Sequence, residues 1–161
     1  MFNGIVYNTG KVKTIFRNGK SINIGIFTDL SFKKSDIGSS ILCDGVCLTL
    51  VSIKNKMIFF YLSDETLNRS NFRKLKVGDI INLEKSLIYG QKISGHFIQG
   101  HVDTTAKIKS IKFLDKTWII NFKLKEIGLS KYLIEKASIS INGVSLTISK
   151  LKNNFFETNV I

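Results

Sequence analysis

The stretch Gly45-Val46-Cys47-Leu48-Thr49 returns 98 residues later as Gly143-Val144-Ser145-Leu146-Thr147, and this doubling decides the fold. Working outward, the same offset places Ser40-Ile41 on Ser138-Ile139. An offset of 96 places Gly4, Val6, Thr9 and Ile15 on Gly100, Val102, Thr105 and Ile111, and one two-residue insertion reconciles the two offsets. Lysine matches are cheap in so lysine-rich a chain. The block GVCLT against GVSLT, in the same order and at the same distance from the first block, is not. The chain reads as two homologous halves, 1–96 and 97–161.

Each half is rich in short runs of Val, Ile, Phe and Thr bounded by Gly, Asn, Asp and Ser, which is the pattern of antiparallel strands. In the first half it predicts strands over 4–15, 20–27, 39–43, 46–53, 56–62 and 79–87. Six strands suffice for a small closed barrel, which removes exposed edges. In the second half it predicts 98–111, 117–124, 137–142, 144–150 and 155–160, with nothing to match the last strand of the first half. The fold expected is therefore all-β: two tandem barrels, the second one strand short. Asp44-Gly45 and Asn142-Gly143 fall at matching places between strands, where a tight hairpin needs residues that accept positive φ. Helix is expected only as a short turn near 65–71 and over 126–135.

At 161 residues, 43% hydrophobic and 22% charged, the chain can bury a real core, which excludes disordered and collagen-like classes. The formal charge of +12 suggests a polyanionic partner, but 21 of the 24 cations are Lys. Ile numbers 24, Asn 13 and Pro none, so an A/T-rich coding sequence explains the bias and no nucleic-acid partner is expected. The opening residues lack a basic leader and an apolar run, and no stretch reaches the roughly 18 apolar residues of a span, so a cytoplasmic protein without a membrane partner is expected. In that compartment Cys43 and Cys47 read as free thiols. With His96 and His101 they give C-x3-C and H-x4-H, but 48 residues separate the pairs, so no metal is expected.

Three stretches carry a resemblance: the opening MFNGIV, the block CDGVCLTL with its downstream DETLNRSNFRKLKVGDIINLE, and ISGHFIQGHVDTTAKI. Together with GVSLT they are similar, in order and spacing, to the riboflavin synthase α-chain family of lumazine-binding domains, over the whole chain. The resemblance implies two Greek-key six-stranded barrels, a homotrimer, and no metal or redox cofactor. It implies a transferase in which two molecules of 6,7-dimethyl-8-ribityllumazine exchange a four-carbon unit, giving riboflavin and 5-amino-6-ribitylaminouracil. The substrate pair then sits between the N-barrel of one subunit and the C-barrel of the next.

Carried over by position, the resemblance implies that Gly4, Ile5 and Val6 reach the ligand of the opposing barrel. Cys47, Leu48 and Thr49 match one pocket floor, and Ser145, Leu146 and Thr147 the other, with plain core packing the competing reading for the two leucines. Cys47 and Ser145 offer a thiol and a hydroxyl at equivalent positions, either able to assist addition at an electrophilic ring carbon. Tyr61, Leu62, Ser63, Asp64, Glu65 and Thr66 match the lining of the first pocket, although Glu65-Thr66 could simply open a helical turn. Gly100, His101 and Val102 match a motif that approaches the first pocket from a neighbouring subunit, with His101 the candidate for proton transfer. His96 reads as structural, pointing elsewhere. Lys136 matches a lysine reaching the ligand across the interface, against the plain reading of one solvated lysine among many, and Ile161 is included at the end of the second pocket. Family members continue with a second copy of the ETL loop, a strand with an acidic residue and a trimer helix. Asn142 stands where some have Asp. These departures keep open a non-catalytic lumazine- or riboflavin-binding relative.

Overall fold

The computed structural model describes all residues from Met1 to Ile161. The first half forms six strands: β1 (Asn8–Asn18), β2 (Ser21–Phe27), β3 (Ser40–Cys43), β4 (Val46–Lys54), β5 (Met57–Leu62) and β6 (Ile80–Lys85). They close into a barrel in the order β1-β2-β5-β4-β3-β6, every neighbour antiparallel. One helix, α1 (Asp64–Arg69), connects β5 to β6 together with a short 3-10 turn at Phe72–Lys74. The second half forms β7 (Ala106–Leu114), β8 (Thr117–Leu124), β9 (Ser138–Ile141), β10 (Val144–Lys152) and β11 (Phe155–Val160), in an open sheet ordered β7-β8-β11-β10-β9.

Alternation along each strand decides what lies inside. On β4, Val46, Leu48 and Leu50 are buried while Thr49 and Val51 are exposed; on β5, Ile58, Phe60 and Leu62 are buried and Tyr61 is not. This period of two follows from the pleat. Seventeen buried side chains make one continuous core in the first half. The second half has only four, Phe122, Leu124, Ile148 and Phe156.

The repeat extends to hydrogen-bond register. Ile41 faces Leu48 and Ile139 faces Leu146; Leu50 faces Phe60 and Ile148 faces Thr158. Bulges recur too, between Val12 and Thr14 and again between Ile108 and Ser110. Asp44 (φ 43°) with Gly45 (φ 83°), and Asn142 (φ 47°) with Gly143 (φ 81°), both place two left-handed residues in a row, the hairpin geometry their chemistry permits. The two turns abut, since a Cβ on Gly45 would lie 2.8 Å from the Gly143 nitrogen, and the Asn82 side chain donates to the Asn142 carbonyl at 2.9 Å. Where the first half buries Phe60, the second buries Thr158 with its hydroxyl unpartnered, which is one reason the second core is thinner.

Two expectations are corrected, and the missing closing strand of the second half is borne out. The strands expected to start at 4 and 98 start at Asn8 and Ala106, because Gly4 and Gly100 turn the chain out of the sheet with φ of 76° and 77°. The first barrel's closing strand is β6, with Leu83 facing both Asn8 and Cys43; no strand plays that part between β7 and β9. The helix expected over 126–135 is a 3-10 turn at Ile127–Tyr132 that buries no side chain. No helix is long and apolar enough to cross a membrane.

Candidate functional site

The residues that open each half leave their own half and lie against the other. Phe2 and Ile98 form an antiparallel bridge, the Phe2 amide donating to the Ile98 carbonyl at 2.8 Å and the Ile98 amide back at 3.0 Å. Two residues further on, the Cys47 amide donates to the Gly100 carbonyl and the Ser145 amide to the Gly4 carbonyl, each at 2.8 Å. The arrangement is a pseudo-twofold exchange. It explains why both positions are glycine: each has positive φ, a Cβ on Gly4 would lie 2.7 Å from the Ser145 Cβ, and one on Gly100 would lie 2.7 Å from the Cys47 Cβ. Phe2, Leu42 and Ile98 form a small buried cluster at the crossing, with Cys47 packed against it.

Two matching outer faces result. On the first, Cys47 stands beside Leu42 and Thr49 beside Ser40; on the second, Ser145 stands beside Ser140 and Thr147 beside Ser138. Gly100 covers Cys47 and Gly4 covers Ser145, leaving Thr49 and Thr147 exposed at the open end of each face. Each face is thus a platform with a half-covered polar atom and a rim of hydroxyls, and only the first sets an apolar neighbour, Leu42, beside that atom. Cys47 is partly buried, whereas Cys43 faces the core and burial pushes its thiol well above the ordinary range. Only Cys47 is chemically available.

The structure brings together Gly4 with Ser145 and Gly100 with Cys47, and Val102 packs on the first core. Leu48 is core, while Leu146 is half-buried on the equivalent strand. Leu62 is also core. Ile5 and Val6 are half-buried. Ser63 caps α1, its Oγ accepting from the Thr66 amide at 3.3 Å and lying 3.1 Å from the Thr66 hydroxyl. Asp64 pairs with Arg73 and Glu65 with Arg69, so the carboxylates of this segment hold the turn in shape. Tyr61 is exposed on the outer face of β5. Lys136 is exposed on the turn before β9, its amide donating to the Ile148 carbonyl at 2.8 Å, and Ile161 is fully exposed past β11.

Gly100 meets Cys47 within the chain. His101 beside it is exposed and makes no hydrogen bond, whereas His96 places Nδ1 2.7 Å from the Ser145 Oγ. His96 lies in the segment between β6 and β7, outside any strand. Four further residues belong to the site: Asn3, Glu84, Ser40 and Ser138. Asn3 accepts from the Ser94 and Gly95 amides at 3.0 and 2.8 Å, and Glu84 accepts from the Asn3 and Gly4 amides at 2.6 and 2.9 Å. Burial raises the Glu84 carboxyl while those two amides oppose the shift. Ser40 and Ser138 were signalled by the repeat itself; Asn3 and Glu84, joined across the fold, carried no local pattern.

A family model described as the lumazine binding domain matches residues 3–86 and 99–161. The chain is 35% identical to a riboflavin synthase of Buchnera aphidicola subsp. Schizaphis graminum, with 100% of this chain and 78% of the relative covered. It is 36% identical to the riboflavin synthase of Chlamydia muridarum, again with 100% and 78% covered. Among solved structures, it is similar to LumP complexed with 6,7-dimethyl-8-(1'-D-ribityl) lumazine, at a TM-score of 0.82 and 28% identity, covering 99% of this chain and 86% of that one. LumP complexed with riboflavin gives a TM-score of 0.84 at 27% identity, with 99% and 86% covered.

Proposed function

The chain belongs to the lumazine-binding domain family, and on that premise we propose that it catalyses the riboflavin synthase reaction, the exchange of a four-carbon unit between two molecules of 6,7-dimethyl-8-ribityllumazine. One observation carries the reading. The two halves keep a nucleophile-capable atom, the Cys47 thiol and the Ser145 hydroxyl, at equivalent positions, each covered by the other half's glycine. A reaction between two copies of one molecule calls for two related platforms, and holding two large rings in register removes an entropic barrier of several kcal/mol, roughly 7–11 in favourable intramolecular cases. The relatives of about 35% identity that span the whole chain support the same reading.

In this proposal the units 1–96 and 97–161 each hold one lumazine on the outer face of β3–β4 or β9–β10. Ser40 and Thr49, or Ser138 and Thr147, meet the polar ring edge and ribityl chain. The products are riboflavin and 5-amino-6-ribitylaminouracil, and the protein works in the cytoplasm as a homotrimer in which platforms of different subunits face each other.

Incubation with 6,7-dimethyl-8-ribityllumazine, followed by riboflavin fluorescence, tests the proposal. Riboflavin should accumulate to half the lumazine consumed. A second reading, a carrier that binds lumazine or riboflavin without turnover, is favoured by the likeness to LumP and by the thin core of the open second sheet. Binding of one ligand per chain with no riboflavin formed at micromolar protein would select it.

A further inference from the structure

His96 lies in no strand or helix. It is nevertheless held in place from several directions. The Asn3 carbonyl accepts from the His96 amide at 3.2 Å, and the Asn3 side chain accepts from the two residues before it, Ser94 and Gly95. Asn3 is itself gripped by Glu84 and is only 8% exposed. Gly95 must be glycine, because a Cβ there would collide with the Asn3 carbonyl oxygen. The outcome is an imidazole whose Nδ1 sits 2.7 Å from the Ser145 Oγ. On the other face Cys47 has no imidazole hydrogen-bonded to it and stands beside Leu42 where Ser145 has Ser140, so the two platforms differ in the groups around their central polar atom.

Resting on the function proposed above, we propose that His96 is a positioning residue that makes the second platform the proton-handling one. Its Nδ1 accepts the Ser145 hydroxyl proton, which turns the lone pairs of Ser145 toward the bound ring. When a methyl C–H of the bound lumazine is deprotonated, its proton passes to the Ser145 oxygen while the hydroxyl's own proton passes to Nδ1. The ring keeps the electron pair, Ser145 is unchanged, and His96 becomes imidazolium until the proton is returned. This requires neutral His96 with its other proton on Nε2. Burial depresses its pKa below the usual value, no charged side chain is paired with the ring, and the carboxylate of this cluster, Glu84, is engaged by two backbone amides. A chain that must treat two identical molecules differently thereby has a built-in asymmetry.

The test uses the full chain with His96→Gln, His96→Ala, Ser145→Ala and the double variant His96→Ala/Ser145→Ala. In the unsubstituted chain, nitrogen-15 NMR of labelled histidine should show His96 as the Nε2–H tautomer, and Ser145→Ala should shift its Nδ1 resonance. His96→Ala should lower kcat by about 10²-fold with KM changed less than about threefold, within the usual range for a lost acid–base partner. The acid limb of the kcat profile should vanish in His96→Gln. The double variant should be no slower than Ser145→Ala alone. An Nδ1–H tautomer, an unchanged pH profile, or rate losses that multiply in the double variant would each overturn the proposal. If the unsubstituted chain forms no riboflavin, the function proposed above fails by itself. The tautomer measurement, with the pH dependence of lumazine binding in His96→Gln against the parent, then decides the role of His96.

Discussion

Replacing Gly4 by Ala probes the exchange between the halves. The backbone there has φ of 76°, which costs an L-residue about 1–2 kcal/mol. The added methyl would lie 2.5 Å from the Ile98 Cδ1, which can rotate away, but also 2.7 Å from the Ser145 Cβ and 2.8 Å from the Ser145 backbone nitrogen. Those two atoms belong to β10 and can move only with the strand. The leading segment must lift, which breaks the 2.8 Å bond between the Gly4 carbonyl and the Ser145 amide, worth about 1 kcal/mol. The expected loss is about 3 kcal/mol, a large part of the roughly 5–15 kcal/mol available to a domain. Gly19→Ala is the control, with φ of 56° and nothing within 4 Å, so it bears the backbone cost alone. Urea unfolding followed by Trp118, the single tryptophan and a β8 residue of the second half, should give a midpoint lower for Gly4→Ala than for Gly19→Ala by about 0.5 M, taking about 2 kcal/mol per molar as the slope. Equal midpoints would refute the exchange as a stabilising contact.

Asp44→Asn copies the turn of the second half. Burial raises the Asp44 carboxyl to about 6, so its protonated form contributes stability that is fully present below the unfolded value near 3.8 and lost as pH rises through 6. The variant should flatten stability across that range and be the more stable protein at pH 7, as measured by thermal unfolding at several pH values. Thr158→Val removes a buried hydroxyl without a partner and should raise stability by about 1 kcal/mol in a urea titration; a loss would mean the hydroxyl has an acceptor. Ser63→Ala deletes the cap of α1 and should cost about 1 kcal/mol, with Ser63→Asp restoring most of it. Mass spectrometry after brief alkylation at neutral pH should find Cys47 modified and Cys43 untouched, and bound lumazine should slow the reaction.

Much of this was legible in the sequence because the repeat and the strand period are both written in side chains. GVCLT and GVSLT marked the two β4-type strands, and Asp44-Gly45 and Asn142-Gly143 marked their turns to the residue. What the sequence hid was non-local. Gly4 and Gly100 looked like strand residues, since nothing nearby tells that their carbonyls face the opposite half. Asn3 and Glu84 meet only because β6 closes the barrel beside the first residues of the chain. His96 carried no local sign of its place, which is fixed by Asn3, more than ninety residues away. Of the carried-over residues, Ser63 and Thr66 cap a helix and Leu48 and Leu62 fill the core, so matching a pocket-lining motif did not make each side chain part of a surface.

The crossing at Phe2 and Gly4 also bears on how the molecule comes to exist. During synthesis residue 4 leaves the ribosome well before its partner at 145, a delay on the order of 10 s at ~5–20 residues per second. For roughly the first two-thirds of that interval, until residues 98–100 follow, the nascent first barrel is without Gly100 over Cys47, and the Phe2 ring lacks its bridge to Ile98. The segment around Gly4 is thus among the last to settle, and maturation of the second platform waits on contacts from the first half.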